Sequence, residues 1–107
     1  MESFILYHEP TYTNLMKKQL KESYGEVANL GCILCFIKGQ AGTPCEIHHV
    51  RRLGGRRDLA PYIGLCPEHH RGNTGIHGLG NKGFVKYYNI TQEELIEKTK
   101  ELIGEYL

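Results

Sequence analysis

The stretch EIHHVRRLGGRRDLAPYIGLCPEHHRG, residues 46–72, decides the fold expected for this chain. Its first residues favour a short strand, and a second short apolar run, YIGL, follows a loop rich in glycine and arginine. Pro67 suits the first turn of a helix that contains Glu68 to Arg71. We therefore expect two short strands joined by a loop and followed directly by a short helix.

Two histidines lie side by side in the first of these strands. Neighbouring side chains of a strand point to opposite faces, so His48 and His49 are expected to contact different partners. The sequence therefore predicts two different roles for two identical side chains.

Helices are predicted on both sides of this stretch, the first of them within an N-terminal helical segment over residues 1–30. The run TYTNLMKKQLKESYGEVA, residues 11–28, places apolar side chains on one face of a helix that starts near Thr13, with Gly25 as a weak point or an end. At the other end, Thr91 and Glu94 form a capping box for an amphipathic helix over residues 91–106. We expect this last helix to cover the core.

Two further segments complete the secondary-structure prediction. GCILCFIKGQAGTPCEIHHV, residues 31–50, is expected to form two short extended pieces joined by a turn at Gly39 to Gly42. Five glycines between Gly72 and Gly83 predict a loop with tight turns. The pattern as a whole predicts a small α+β protein.

Length and composition fit one globular domain over residues 1–107. Hydrophobic residues make up 40% of the chain and charged residues 23%, which is an ordinary mixture for a folded protein. The opening MESFILYHEP has neither a basic segment nor a long apolar run, so we expect no signal peptide and no membrane span. These features predict a cytoplasmic protein.

Positive charge is concentrated in the middle of the chain. The net charge is only +1, yet residues 47–88 contain seven Lys and Arg against two Asp and Glu. Five of the seven are arginine, whose planar guanidinium suits phosphate oxygens. We therefore expect an anionic partner for this segment.

The cysteines predict a zinc site. In a chain without an export signal they should be reduced, so their spacing is first interpreted as metal binding. Cys32-x-x-Cys35 and Cys66-x-x-His69 form two pairs of the spacing that presents four ligands to a tetrahedral zinc ion. Cys45 has no partner at this spacing and is expected to be a small apolar filler.

The remaining histidines form a second group. His48, His49, His70 and His77 lie within thirty residues of one another, among arginines and zinc-type cysteines. His70 directly follows the zinc ligand candidate His69, and His77 lies in the glycine-rich stretch that could bring it back toward His70. For a single histidine the alternative is a surface or core residue without a role, but that alternative fits the group poorly.

Together these motifs resemble a known family. EIHHV, then a loop, then LCPEHHRG is similar to the ββα-metal (HNH) endonucleases, in which a histidine pair ends the first strand and a cysteine–histidine segment opens the helix. The longer run from CEIHHV to GIHGLG, followed by FVKYYNITQEELIEKT, resembles the phage Ref family of RecA-dependent HNH nucleases. The resemblance covers residues 32 to about 100, with the zinc and ββα-metal core in residues 32–80 and flanking helices.

The resemblance implies roles for individual residues. His49 would be the general base that takes a proton from water, while His48 would bind the catalytic divalent metal, Mg²⁺ or Mn²⁺, with His70 and His77. A structural Zn²⁺ would be held by Cys32, Cys35, Cys66 and His69. Arg56, Arg57 and Arg71 would hold DNA phosphates with little reading of bases. The central HNH asparagine is missing before LC, and Asp58 is the candidate to take its place.

The implied function is metal-dependent hydrolysis of DNA phosphodiester bonds, with DNA and either the RecA filament or other recombination proteins as partners. Two alternatives remain at this point. A zinc-stabilised DNA-binding module without catalysis would need the zinc pairs and the arginines but not His49. A thiol redox protein built on Cys32 and Cys35 would leave the histidine group unexplained and lacks the βαβ setting expected for such a motif.

Overall fold

The computed structural model describes the backbone of residues 12–51 and 60–106, and the side chains within those ranges from residue 21 onward. In this part of the chain, five helices surround one two-stranded sheet. In chain order the elements are α1 (Tyr12–Leu30), α2 (Ile33–Ile37), β1 (Glu46–His49), β2 (Tyr62–Leu65), α3 (Pro67–Arg71), α4 (Ile76–Tyr88) and α5 (Gln92–Ile103). The predicted α+β class is confirmed, as are both strands and the short helix that follows them.

The two strands form an antiparallel pair. His48 lies opposite Ile63, and His49 lies opposite Tyr62. All four residues of β2 are buried, because helices cover both faces of the pair. Side chains alternate along a strand, so the two histidines of β1 belong to opposite sides of the sheet.

Two apolar clusters lie on these two sides. The main cluster contains Cys32, Ile33, Leu34, Cys35, Val50, Ile63, Leu65, Cys66, Ile76, Phe84, Leu95 and Ile96. The second contains Val27, Tyr62 and Tyr106, with Tyr24, Ile47 and Ile103 packed against it. Neighbouring residues of β2, Tyr62 and Ile63, therefore belong to different clusters.

Helix α1 confirms the predicted N-terminal helix from residue 12 onward; residues 1–11 of that segment lie outside the described residues. The prediction that Gly25 weakens or ends the helix is wrong, because α1 continues to Leu30. Val27 is fully buried against Tyr62 and Tyr106, and this packing outweighs the cost of about 0.5–1 kcal/mol for an internal glycine. Within the described ranges, no helix combines the length and apolar character that crossing a membrane requires.

The segment after α1 differs from its prediction. The sequence predicts an extended piece around Cys32 to Ile37, but Ile33–Ile37 form helix α2. The Sγ atom of Cys32 caps this helix by accepting the backbone N–H of Cys35 at 3.4 Å. A short uninterrupted apolar run is compatible with either a strand or a buried helix. Here the run forms a helix that buries Ile33, Leu34 and Cys35.

The prediction of a glycine-rich loop from Gly72 to Gly83 is wrong from Ile76 onward, because α4 begins there. The helix has a kink at Gly80, whose φ of 77° suits glycine. At Gly78, a Cβ atom would collide with the backbone oxygen of Gly72. These glycines therefore permit a kink and a close backbone approach within a helical segment.

Helix α5 confirms the predicted C-terminal helix and its capping box. The N–H of Glu94 donates to Thr91 Oγ1 at 3.0 Å, and the N–H of Thr91 donates to Glu94 Oε1 at 2.8 Å. The helix ends at Ile103 instead of residue 106, since Gly104 adopts a φ of 84°. Tyr106 returns to the protein and is buried.

Candidate metal centres and histidine site

Four zinc ligand candidates meet between the starts of two short helices. Cys32 and Cys66 are the residues before α2 and α3, and Cys35 and His69 lie one turn into these helices. All four are buried, and their ligand atoms lie within 4.8 Å of one another. The two x-x-spaced pairs seen in the sequence are therefore brought together.

The distances within this cluster fit a zinc ion. His69 Nδ1 lies 3.5 Å from Cys32 Sγ, 3.5 Å from Cys35 Sγ and 3.3 Å from Cys66 Sγ, and the Sγ atoms of Cys35 and Cys66 are 3.9 Å apart. Tetrahedral zinc with Zn–S bonds of about 2.3 Å and Zn–N bonds of about 2.0 Å requires S···S separations of about 3.8 Å and S···N separations of about 3.5 Å. This cluster could hold Zn²⁺ with little rearrangement.

Burial shifts the protonation equilibria of this cluster. Burial raises the pKa of the Cys32 thiol to about 12, although hydrogen bonds from the backbone of Cys35 and Cys66 oppose it. Burial also lowers the pKa of His69. Zinc binds thiolates and neutral imidazole, so a bound cation would stabilise the charged sulfur atoms that burial alone disfavours.

A second group, the histidine triad, consists of His48, His70 and His77. These residues come from β1, α3 and α4, and their ligand atoms also lie within 4.8 Å of one another. His70 Nε2 and His77 Nε2 are 3.1 Å apart, while the ring of His48 lies 5.1 Å and 5.3 Å from theirs, centroid to centroid. His69 and His70 are adjacent in α3, yet each belongs to a different group.

Glu46 orients one member of the triad. It lies two residues before His48 on the same face of β1, and its Oε1 accepts the Nδ1–H of His70 at 2.8 Å. The guanidinium of Arg71 donates to both carboxylate oxygens. These hydrogen bonds, Arg71 first and His70 second, hold the pKa of Glu46 down at about 2. Glu46 is therefore ionised, and it directs His70 Nε2 toward His77.

His48 is held by a residue near the C-terminal end of the chain. Its Nε2 lies 2.7 Å from Oε1 of Gln92, the first residue of α5, and the amide nitrogen of Gln92 donates to Asn81 Oδ1 at 3.1 Å. His48 is only 7% exposed. Burial, which outweighs the hydrogen bond to Gln92, lowers the pKa of His48 to about 4. The imidazole is therefore neutral at physiological pH, as metal ligation requires.

His49 lies on the other side of the sheet from the triad. Its Nε2 is 3.1 Å from the hydroxyl of Tyr24 in α1, and its ring contacts Tyr24 and Tyr62 at centroid distances of 5.9 Å and 5.8 Å. The side chain is half-buried. The two neighbouring histidines thus have different surroundings, as the alternation of a strand predicts.

The phosphate-binding candidates are only partly described. Arg71 is exposed and paired with Glu46, whereas Arg56, Arg57 and the asparagine substitute Asp58 lie outside the described residues. Cys45 lies just before β1, outside the zinc cluster, and packs partly buried against the main core.

Four residues of the site were missed by sequence reasoning: Glu46, Gln92, Asn81 and Tyr24. Glu46 had a signal, since it lies at the alternate position of the same strand as His48. In the sequence, Tyr24 is only one of the apolar positions of the predicted N-terminal helix. Nothing in the sequence pattern marks Gln92, which is 44 residues from His48.

Comparison with known proteins gives one family match. A family model described as "Recombination enhancement, RecA-dependent nuclease" matches residues 17–103. These residues include every member of the zinc cluster and of the histidine triad. Neither the curated proteins nor the solved structures contain a significant match to the chain.

Proposed function

The chain belongs to the recombination-enhancement, RecA-dependent nucleases, and from this premise we propose that it is a metal-dependent DNA endonuclease of the HNH (ββα-metal) type. The family implies a nucleic-acid substrate and an involvement of RecA. The finer assignment concerns the reaction: hydrolysis of DNA phosphodiester bonds, by nicking or cutting with little sequence preference.

One observation carries this proposal: three histidines from three separate elements converge within 4.8 Å beside a strand that also bears His49. The alternative of unconnected core or surface histidines does not explain this convergence. A thiol redox function is disfavoured, since Cys32 and Cys35 are both buried in one cluster with Cys66 and His69. A DNA-binding module without catalysis would not require the triad.

The proposed roles of the histidines are those that the resemblance to the HNH endonucleases implies. His48, His70 and His77 would hold a divalent cation, which when bound supplies charge stabilisation at the scissile phosphate and at the leaving 3′ oxygen. His49 would take a proton from the attacking water as a general base. Tyr24, within hydrogen-bond distance of His49 Nε2, would orient this base.

The donor set bears on the choice of cation. Imidazole nitrogen suits Zn²⁺, Fe²⁺ and Ni²⁺ best and binds Mn²⁺ more weakly than these, whereas Mg²⁺ prefers oxygen ligands and retains its water. Of the two ions expected, Mn²⁺ therefore fits the triad better than Mg²⁺. A structural Zn²⁺ at Cys32, Cys35, Cys66 and His69 would be separate from this ion and would support the fold.

Arg56, Arg57 and Arg71 are proposed to bind DNA phosphates, which gives affinity without reading sequence. Arg71 would do so while it is held by Glu46. Because the family depends on RecA, we propose that the DNA is cleaved in the presence of a RecA filament. The protein would act in the cytoplasm, where it meets both partners, and in the host cytoplasm if it is phage-encoded.

The test is nicking of supercoiled plasmid by zinc-loaded protein, with Mg²⁺ or Mn²⁺, with and without a RecA filament, and again after chelation. We expect cleavage that requires the added ion, with Mn²⁺ active at lower concentration than Mg²⁺. Protein that binds DNA but does not cleave it under any of these conditions would instead be the zinc-stabilised binding module.

A further inference from the structure

A chain of two amide side chains connects helices α4 and α5 to the histidine triad. We propose that Gln92, held by Asn81, is a positioning residue that fixes His48 in its Nε2–H tautomer and presents Nδ1 to the catalytic cation. This inference rests on the proposed metal site and adds to it a determinant outside the ββα segment. It assigns a role to α5, a helix expected only to cover the core.

The first step concerns the direction of the hydrogen bonds. The Gln92 amide nitrogen donates to Asn81 Oδ1 at 3.1 Å, which leaves Gln92 Oε1 directed at His48 Nε2, 2.7 Å away. A carbonyl oxygen only accepts, so His48 Nε2 must be the donor. In a neutral imidazole the other nitrogen, Nδ1, then carries the lone pair that a metal needs.

The second step is a comparison within the triad. His70 is held at Nδ1 by Glu46, so its Nε2 faces the site, where His77 Nε2 lies 3.1 Å away. His48 is held at the opposite nitrogen. Two ligands of one site thus depend on different partners, an ionised carboxylate for His70 and a neutral amide for His48. A carboxylate raises the basicity of its histidine, whereas an amide mainly orients it.

The third step concerns rigidity. Gln92 directly follows Thr91, whose capping box with Glu94 fixes the start of α5. Leu95 and Ile96, within the next turn, are buried in the main core. The backbone that carries Gln92 is therefore anchored independently of the triad. Such support is what holds a ligand in one orientation before the metal arrives.

The experiment measures Mn²⁺ affinity by calorimetry on zinc-loaded protein without DNA. Gln92→Leu removes the acceptor and should weaken Mn²⁺ binding about 10- to 100-fold, the usual effect of losing an outer partner of a metal ligand. Gln92→Glu keeps an acceptor and should bind Mn²⁺ at least as tightly as the wild type. Asn81→Leu should give a smaller loss, and Glu97→Leu, an exposed change on the same helix, should give none.

A second measurement requires no substitution. Long-range ¹H–¹⁵N NMR of zinc-loaded wild-type protein without added Mn²⁺ should show His48 protonated at Nε2. Protonation at Nδ1 would overturn the inference, and so would unchanged Mn²⁺ affinity in Gln92→Leu, with the proposed function left intact. If wild-type protein binds no Mn²⁺ beyond its zinc, the proposed metal site and this inference fall together.

Discussion

His48 and His49 share a backbone and a side-chain type, but their environments give them different chemistry. His48 is buried beside two other imidazoles and an amide, whereas His49 is half-buried between tyrosine rings. A metal ligand must be neutral and rigidly oriented. A general base must instead be able to accept a proton during the reaction. The described contacts suit His48 to the first role.

Substitution of the two histidines should therefore produce different defects. His49→Ala should keep metal binding and DNA binding but lower cleavage by about 10² to 10⁴, the usual contribution of a positioned general base. His48→Ala should weaken binding of the divalent cation, so excess Mn²⁺ should partly restore the activity of this variant. Plasmid nicking across a Mn²⁺ titration measures both effects. Rescue of His49→Ala alone would show that the roles are reversed.

Tyr24 allows a finer test at the same scale. Tyr24→Phe keeps the ring that packs against His49 and Tyr62 but removes the hydroxyl 3.1 Å from His49 Nε2. If this hydroxyl orients the base, kcat should fall while KM and Mn²⁺ affinity remain unchanged. Tyr87→Phe, at an exposed ring, is the matched control. Equal kcat values for the two variants would remove Tyr24 from the site.

Among the elements, the short helices α2 and α3 meet at the four candidate zinc ligands. A cysteine directly precedes each helix, and each helix is only five residues long. Helices this short have little stability of their own. A metal that joins their first turns would contribute directly to the free energy of folding.

Loss of one zinc ligand should accordingly destabilise the whole fold. Cys35→Ala should lower both the zinc content and the melting temperature sharply, whereas Cys45→Ala, outside the cluster, should leave zinc bound. Elemental analysis and thermal unfolding of the two variants provide the comparison. Normal melting of a zinc-free Cys35→Ala protein would exclude a structural role for zinc.

The C-terminal residues after α5 are tied to β2 by a reciprocal pair of bonds. Tyr106 donates its hydroxyl to the Tyr62 carbonyl at 2.6 Å, and the Tyr62 hydroxyl donates to the Tyr106 carbonyl at 3.4 Å. Burial raises the pKa of Tyr106 to about 12. The folded protein therefore retains this proton at a pH where the unfolded chain, with a pKa near 10, loses it.

The sign of this linkage gives a prediction for alkaline pH. Stability from the Tyr106 proton is fully present below pH 10 and decreases as pH rises toward 12. Tyr106→Phe should cost about 1 kcal/mol at neutral pH, where a hydrogen bond is lost, and should lose less stability than the wild type on going to alkaline pH. Urea unfolding at both pH values measures this. An identical alkaline loss in wild type and variant, with Tyr87→Phe as control, would contradict it.

The elements also indicate what sequence can predict. Local signals mark strands β1 and β2 and helices α3 and α5, namely short apolar runs beside a turn-rich loop, proline at a first turn and a capping box. Helices α2 and α4 carry no such signal. A run such as CILCFI is apolar throughout, and the glycines of α4 are explained only by backbone that approaches from Gly72 and by the kink at Gly80.

Prediction of the site from the sequence is likewise limited to residues that carry a local signal. The four candidate zinc ligands were predicted from their spacing, whereas the grouping of His48 with His70 and His77 came from the resemblance to the HNH endonucleases. Their supporting partners were missed: Glu46 is 24 residues from His70, and Gln92 is 44 residues from His48. Contacts of this kind arise from how the elements pack, and no local pattern encodes them.

At the scale of the whole molecule, charge is unevenly distributed. A net charge of +1 conceals a basic middle segment and an acidic C-terminal end, where residues 89–107 contain five acidic and two basic residues. A DNA phosphate backbone would be attracted to the first region and repelled by the second. DNA should therefore contact the basic middle segment in preference to the acidic C-terminal residues.

Salt dependence tests this arrangement directly. Each phosphate contact releases condensed counterions, so binding should weaken steeply with salt, and Arg56→Gln with Arg57→Gln should lower the slope of log K against log salt by about two. Lys98→Gln with Lys100→Gln removes equal charge from α5 and should leave the slope nearly unchanged. Fluorescence anisotropy on several DNA sequences provides the measurement, and the arginine pair should weaken all of them alike. A slope equal to that of the wild type, or a preference for one sequence that survives high salt, would mean that affinity comes from base contacts instead of from phosphate neutralisation.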